Sequence, residues 1–296
     1  MHIAVIGSCN VDITVEAQRR PHAGETVMGD RLIVSPGGKG ANQAVAAARL
    51  GAEVYMVGCI GDDDYGRIIT DSLKESHVHT DYVFTRKGTT TGTAHITLAE
   101  GDNSIIVIKG ANAEVGPEEA WDMISTAEIV LLQYEIPMET IDYVVKKCAE
   151  AGVKVLLNPA PFADTPEEWM EKASYITPNE HEAKLMFPGM SRSEILSAHP
   201  DKLIMTIGGD GVAFAHEGED EVVVPGFKVP VKDTTGAGDT FNGAFAVARA
   251  EKQPMKDAVR FANAAAALSV QKIGAQGGMP WRSEVEEMLS CKKQEF

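Results

Sequence analysis

Short runs rich in Val, Ile and Leu, largely apolar on both faces and too brief for helices, recur along the chain between longer helical stretches. The runs cover residues 2–6, 53–57, 129–133, 154–157, 174–176 and 203–207. The helical stretches cover 41–50, 64–76, 117–125, 138–151 and 180–187, and two of them stop at Gly51 and Gly152, where a left-handed C-terminal cap fits. A strand without a polar face must be covered on both sides, and strand–helix–strand repetition supplies the covering helices. The pattern predicts an α/β protein: a central, mostly parallel sheet flanked by helices on both faces, with all 296 residues in one domain.

Two segments depart from this rhythm. Residues 26–35 and 91–109 read as extended chain, and in the second Thr93, His95 and Thr97 alternate with Ala94, Ile96 and Leu98 before the reversal Glu100-Gly101-Asp102-Asn103. They are read as a small β-sheet lid inserted at about 13–36 and 90–110, with edge strands on the main sheet as the alternative. Open edges and bare apolar faces invite pairing, so a homodimer through the lid is expected.

Lys and Arg number 27 against 43 Asp and Glu, a formal charge of −16. No run of basic residues provides a surface that could track phosphates, so nucleic acid is not expected as a partner. No apolar run approaches the roughly 18–20 residues that span a bilayer, and residues 1–10 lack a basic start and a cleavage site, so no membrane association is expected either. Cys9, Cys59, Cys148 and Cys291 form no C-x-x-C pair and read as ordinary thiols of a cytoplasmic protein. Residues 290–296 read as a frayed helix end.

In an open α/β sheet, ligands bind beyond the carboxyl ends of the strands, where loops and helix N-termini converge. There the sequence places Asn10 and Asp12, Glu135, Asn158, Asn179 with Glu182, and Thr206 with Gly208-Gly209-Asp210-Gly211. Any one of these alone reads as a turn or a cap, but five strand ends delivering such residues to one edge read as a site.

The sharpest local signal is Asp233-Thr-Thr-Gly-Ala-Gly-Asp239-Thr-Phe-Asn-Gly-Ala, leading into a helix over 239–250. Gly236, Ala237 and Gly238 can offer backbone N–H groups to an anion, and the helix start adds partial positive charge. Asp239 would repel a phosphate, but it can accept a proton from a hydroxyl attacking phosphorus. The alternative is a capping Asp after a tight turn. A second block, Gly37-Gly38-Lys39-Gly40-Ala41-Asn42-Gln43-Ala44, also precedes a helix. It is not a Walker A motif, and the start of the chain lacks the glycines of a dinucleotide fingerprint. What remains is close backbone approach at Gly37 and Gly38, with Lys39 and Asn42 able to bond a polyhydroxyl ligand, or else a glycine turn with a solvated Lys.

Together these residues resemble the pfkB, or ribokinase-like, family of carbohydrate kinases over essentially the whole chain. The likeness rests on Asn10-Val11-Asp12, the block from Gly37 to Gln43, Thr91-Gly92-Thr93-Ala94, Asn158-Pro-Ala-Pro161, Thr177-Pro-Asn-Glu-His-Glu182 and the stretch from Asp233 to Asn242. Lys39 after the glycine pair, with Asn-Pro-Ala-Pro, is similar to the branch acting on ribose rather than on adenosine, fructose or phosphofructose. The resemblance implies that Asn10, Asp12, Gly38, Lys39, Asn42, Glu135 and Asp239 hold ribose, with Asp239 as base and the Gly236–Gly238 backbone as anion hole. It implies that Asn179, Thr206, Gly208, Gly209, Asp210, Gly211, Gly238 and Asn263 contact ATP, and that Glu182, helped by Asn179, organises Mg2+ through water. It further implies an activating K+ at Asp233, Thr235, Ser269, Lys272, Gly274 and Gly278, mostly through carbonyls. Gly278 stands where relatives often carry Ser, which removes a hydroxyl ligand, and Asn263 replaces a frequent His.

The activity so implied is transfer of the ATP γ-phosphoryl group to the 5-hydroxyl of D-ribose, giving D-ribose 5-phosphate and ADP. The alternatives are a kinase for deoxyribose, fructose or adenosine, or a catalytically silent sugar or nucleotide sensor.

Overall fold

The computed structural model describes residues 2–291; residues 292–296, most of the stretch expected to fray, lie outside the described residues. The chain begins with β1 (His2–Ile6), β2 (Asn10–Glu16), β3 (Arg31–Gly37) and α1 (Lys39–Arg49). Next come β4 (Glu53–Gly61), α2 (Asp64–Glu75), β5 (Val78–Arg86), β6 (Gly92–Ala99) and β7 (Asp102–Ile108). After short helical turns including α3 (Trp121–Ile124) follow β8 (Ile129–Gln133), α4 (Met138–Ala151), β9 (Lys154–Asn158), α5 (Glu167–Lys172) and β10 (Tyr175–Ile176). The last third holds α6 (Glu180–Met186), α7 (Arg192–Ala198), β11 (Met205–Thr206), β12 (Gly211–Ala215) and β13 (Glu221–Pro225), then α8 (Ala237–Ala250), α9 (Met255–Ser269), α10 (Ala275–Gly278) and α11 (Arg282–Cys291).

Six strands form the central sheet in the order β10-β9-β8-β1-β4-β5, and every neighbouring pair is parallel. β1 lies inside it, and its side chains serve two cores in alternation. Ile3 and Val5 pack with α1, α8 and α9, whereas Ala4 and Ile6 pack with β8 and α4 on the opposite face. Both faces of each inner strand are therefore dry through its middle, which is why those strands read as apolar runs with polar residues only toward their ends. Gly152 ends α4 with φ 73, the expected left-handed cap.

A separate sheet, β3-β2-β6-β7, excludes the alternative of edge strands on the main sheet. β2 runs parallel to β6, while β2–β3 and β6–β7 are antiparallel. The β6–β7 reversal is tighter than expected: Glu100 and Gly101, with φ 58 and 76, make it alone. Asn10 and Asp12 are not in a loop after the first strand but within β2, and of residues 26–35 only those from Arg31 onward are strand.

The run at 203–207 also differs from expectation. It shortens to β11, touches β10 and Asn179 only through isolated parallel bridges, and pairs antiparallel with β12, which pairs with β13. The tight turn at Gly208–Asp210 folds the chain straight back, so its partner is the next strand rather than a neighbour across a helix.

Candidate active site

Two helix N-termini meet at the carboxyl ends of the central strands. α8 and α1 approach closely because Gly243 has no side chain: a Cβ there would stand 2.7 Å from the Ala46 Cβ and 2.8 Å from the Gln43 carbonyl. The helix expected from Asp239 starts earlier, at Ala237, with Gly236 at its N-cap in the left-handed region (φ 76) and no side chain capping it. Asp239 is thus the third helical residue. It is buried, and its two carboxylate oxygens each accept from a neutral amide of α1: Oδ2 from Asn42 Nδ2 at 2.9 Å and Oδ1 from Gln43 Nε2 at 3.1 Å. Among the described residues no cation stands within ion-pair distance of it. A carboxylate so held keeps lone pairs for a proton.

The N-terminus of α1 is different. Gly38, φ 87, lets the chain pass close to β2, since a Cβ would lie 2.6 Å from the Asn10 amide nitrogen. The first N–H groups of the helix then meet protein acceptors: Lys39 N donates to Glu135 Oε2 (3.1 Å), Gly40 N to Ser8 Oγ (3.3 Å) and Ala41 N to the Ser8 carbonyl (2.9 Å). Ser8 Oγ in turn donates to Glu135 Oε2 at 2.5 Å. Glu135 is anchored by α1, and that helix end is not free for an anion.

Asp12 lies over Gly37, where a Cβ would meet its carboxylate at 2.4 Å. Burial, then Glu135 and Asp239, push the Asp12 carboxyl up to about 7, with Lys39 acting in the opposite direction. Lys39 lies among four carboxylates. Burial pulls its pKa down, but Asp239, Glu135, Glu182 and Asp12 together hold it above the ordinary lysine value. Asn10 Oδ1 accepts from Asn112 Nδ2 at 2.7 Å, and Asn112 also bonds both backbone groups of Cys9. The residues expected to hold a sugar are therefore gathered on one side of Asp239.

On the other side lies a cavity of about 610 Å³. Asn179, Thr206, Gly208, Gly209, Asp210, Gly211, Gly238 and Asn263 all line it, joined by Phe227, Val229, Val231, Phe241 and Val270, an apolar slot suited to a flat ring. The cavity and the acidic cluster meet at the first turn of α8, Gly238 facing one and Asp239 belonging to the other. Three expected contacts have further work in the fold. Asn263 Nδ2 bonds the carbonyls of Val224 and Pro225, which leaves its Oδ1 as the open group; Asn179 caps α6; and the Ala237 N–H donates to the Thr234 carbonyl at 3.2 Å. Glu182 completes the α6 capping box, its Oε2 accepting from Asn179 N at 2.8 Å, and burial raises its pKa.

The loops that carry Asp233 and Gly274 are joined. Asp233 accepts from the N–H of Thr235 (2.9 Å) and of Gly274 (2.8 Å). Burial opposes ionisation of Asp233, but these donors prevail and its pKa is lowered. Gly278 N donates to the Gly274 carbonyl, and a Cβ on Gly278 would stand 2.2 Å from the Ser269 carbonyl oxygen. This backbone has no room for a side chain at position 278. Lys272 Nζ pairs with Glu284 at 3.3 Å, so of that residue the carbonyl is what remains to be offered.

Sequence comparison bears on the same residues. A family model described as pfkB family carbohydrate kinase matches residues 1–282. The chain belongs to that family. The kinase is 54% identical over 292 residues to ribokinase of Bacillus subtilis, covering 98% of this chain and 99% of that protein. It is 48% identical over 294 residues to ribokinase of Lactococcus lactis, covering 97% and 96% of the two chains. Among solved structures, Arabidopsis thaliana ribokinase complexed with ribose and ATP superposes with a TM-score of 0.90 at 37% identity, covering 97% of this kinase and 98% of that chain. Thermotoga maritima ribokinase gives 0.89 at 37% identity, covering 97% and 99%.

Sequence reasoning missed Ser8, Asn112, Gln133 and Gln276. Each is a buried polar residue that bonds a site residue or its support, and none belongs to a motif that marks chemistry.

Proposed function

We propose that this kinase transfers the γ-phosphoryl group of ATP to the 5-hydroxyl of D-ribose, with Asp239 as general base. The observation that carries the reading is the position of Asp239: third residue of an uncapped helix, between a cavity lined by all eight expected nucleotide contacts and a cluster of Asn10, Asp12, Lys39 and Glu135. The relatives named ribokinase, and the Arabidopsis structure with ribose and ATP, support the choice of substrates.

The chemistry follows from the parts. Asp12, Asn10, Asn42 and Glu135 present acceptors and amides to ribose hydroxyls, which fixes the ring so that its 5-hydroxyl lies along the line to phosphorus. Asp239 accepts the hydroxyl proton as the new O–P bond forms and the bond between the γ-phosphorus and the bridging oxygen breaks, releasing ADP. The open amides at the start of α8 and the helix dipole stabilise charge on the transferred group, and Lys39 balances the carboxylates around it. Asn10 and Asp12 sit on β2, within the small sheet, so that sheet, read as a lid at about 13–36 and 90–110 of a single domain, carries sugar ligands as it closes and excludes water.

Glu182, a buried carboxylate with one oxygen capping α6, suits Mg2+ held through water, with Asn179 beside it; the ion would neutralise phosphate charge. The ionised Asp233 with carbonyls of Thr235, Ser269, Lys272, Gly274 and Gly278 is an all-oxygen set that suits K+. The exposed apolar side chains of the small sheet, Leu32, Val34, Ile105, Ile106, Val107 and Ile108, support a homodimer through the lid. Four cysteines left as free thiols support a cytoplasmic location, and no helix among the described residues is long and apolar enough to cross a membrane.

The test is ADP release across ribose, deoxyribose, fructose and adenosine, together with Asp239→Asn. Ribose should be the preferred acceptor, and Asp239→Asn should bind both ligands while losing nearly all turnover. Preference for another acceptor overturns the substrate, ligand binding with no ADP from any of them overturns the activity, and a variant keeping a tenth of the rate overturns Asp239 as base.

A further inference from the structure

Asp239 takes one of its two hydrogen bonds from a residue that has no capacity left for a ligand. Gln43 is fully buried, and its amide makes three bonds: Nε2 donates to Asp239 Oδ1 and to Asn158 Oδ1, both at 3.1 Å, and Oε1 accepts from Gln133 Nε2 at 2.7 Å. Both donor hydrogens are engaged, and the acceptor is occupied by a buried partner. Asn42, on the other oxygen of Asp239, is expected to touch the sugar as well. Gln43 is not.

The direction of the whole chain is set by the base. An ionised carboxylate only accepts, so Gln43 must turn its NH2 toward Asp239, and its carbonyl then faces Gln133. Gln133 must answer with its own NH2, which leaves Gln133 Oε1 buried with no partner among the described residues. Turning the Gln43 amide over would set its oxygen against both the Asp239 carboxylate and Asn158 Oδ1, two acceptors. The fold tolerates a buried, unpaired carbonyl oxygen on β8 so that a donor is presented to Asp239. Asn158 is held in its turn, its Nδ2 donating to the Thr177 carbonyl at 3.0 Å.

We infer that Gln43 is a positioning residue for the base: together with Asn42 it fixes the plane of the Asp239 carboxylate, one donor per oxygen, without touching substrate. This inference rests on Asp239 being the base. A carboxylate with a donor on each oxygen cannot rotate without breaking one of them, and proton abstraction needs the accepting oxygen within about 2.6–3.2 Å of the hydroxyl. Loss of the Gln43 donor leaves ligand-binding groups in place and lets the carboxylate turn, so the effect belongs in kcat.

The experiment compares Gln43→Met in two backgrounds, the native chain and Asp239→Asn, by kcat and by KM for ribose and ATP. In the native background kcat should fall at least about tenfold, as misplacement of a reacting group does, with both KM values within about threefold. In the Asp239→Asn background, where no carboxylate remains to be oriented, single-turnover phosphoryl transfer should change less than about twofold. A purely structural role would lower the rate equally in both backgrounds, and that outcome overturns the inference, as does an unchanged kcat in the native background. If Gln43→Met does not fold, Gln43→Glu takes its place: it keeps the shape, turns the donor into an acceptor, and should give the same contrast at pH 8, full activity overturning the inference. Asp239→Asn keeping a tenth of native turnover removes the base reading and this inference with it, whereas equal losses remove the inference alone.

Discussion

Asp12 gives a stability prediction that does not depend on any ligand. Its carboxyl has no hydrogen-bond donor among the described residues, lies under burial and beside Glu135 and Asp239, and is pushed from 3.8 up to about 7. The folded state therefore keeps a proton that the unfolded chain has already released. Below pH about 4 both states hold it and nothing is lost; as pH rises from about 4 to 7 the folded state is progressively disfavoured. A tenfold change in proton affinity is about 1.4 kcal/mol, so the gap corresponds to about 4 kcal/mol at most, and relaxation around the ionised group brings the expected figure to roughly 2–4 kcal/mol. Asp12→Asn keeps the shape and removes the charge. In urea unfolding of the ligand-free kinase, the stability of the variant relative to the native chain should grow by roughly 2–3 kcal/mol between pH 4.5 and pH 8. A stability difference that is the same at both pH values, or one that moves against the variant toward pH 8, would refute the electrostatic account of this cluster.

Ser8→Ala removes a donor to Glu135 from a residue two positions before Asn10. A hydrogen bond to a charged group contributes about 1.5–3 kcal/mol, so KM for ribose should rise at least about tenfold, with KM for ATP little changed; equal increases for both would place Ser8 outside the sugar side. For the exposed face of the small sheet, Ile106→Lys puts a charge on a side chain that is 70% exposed. Sedimentation should then show monomer where a dimer is expected of the native chain, and a native chain that sediments as a monomer would remove the dimer proposal.

The inner strands of the central sheet were legible because burial on both faces leaves no alternative to a continuous apolar run. β5, β12 and β13 were not: β5 lies at the sheet edge with an alternating, half-exposed pattern, and β12–β13 form a local hairpin outside the βα rhythm. β2 was hidden for another reason. Its Asn10 and Asp12 are polar residues of the proposed sugar site, and their polarity breaks the pattern that marks a strand. In the site, residues whose type announces chemistry, such as Asp239 beside glycines, could be named from spacing. Gln43 and Gln133 could not be assigned roles, because an amide's role is decided by which of its ends faces a partner, and the partner comes from an element about 90 or more residues away in sequence.

The two glycine-led helix starts explain why spacing alone cannot assign an anion site. Both α1 and α8 begin at a glycine with positive φ and neither has a side-chain cap, so in sequence they are equivalent candidates. At α1 the backbone approaches β1 and β2 closely enough for Ser8 and Glu135 to take the first N–H groups, and the helix dipole there holds a carboxylate of the protein itself. At α8 the glycine packs against Ala275, where a Cβ would stand 2.8 Å from that residue's Cβ, a methyl that can accept nothing. The helix that meets an apolar neighbour has, among the described residues, no side chain on its first N–H groups, and only that of Ala237 is taken, by the Thr234 carbonyl. The one that meets a hydroxyl and a carboxylate uses its positive end to fix Glu135, which makes that helix end one wall of the proposed sugar site rather than an anion site.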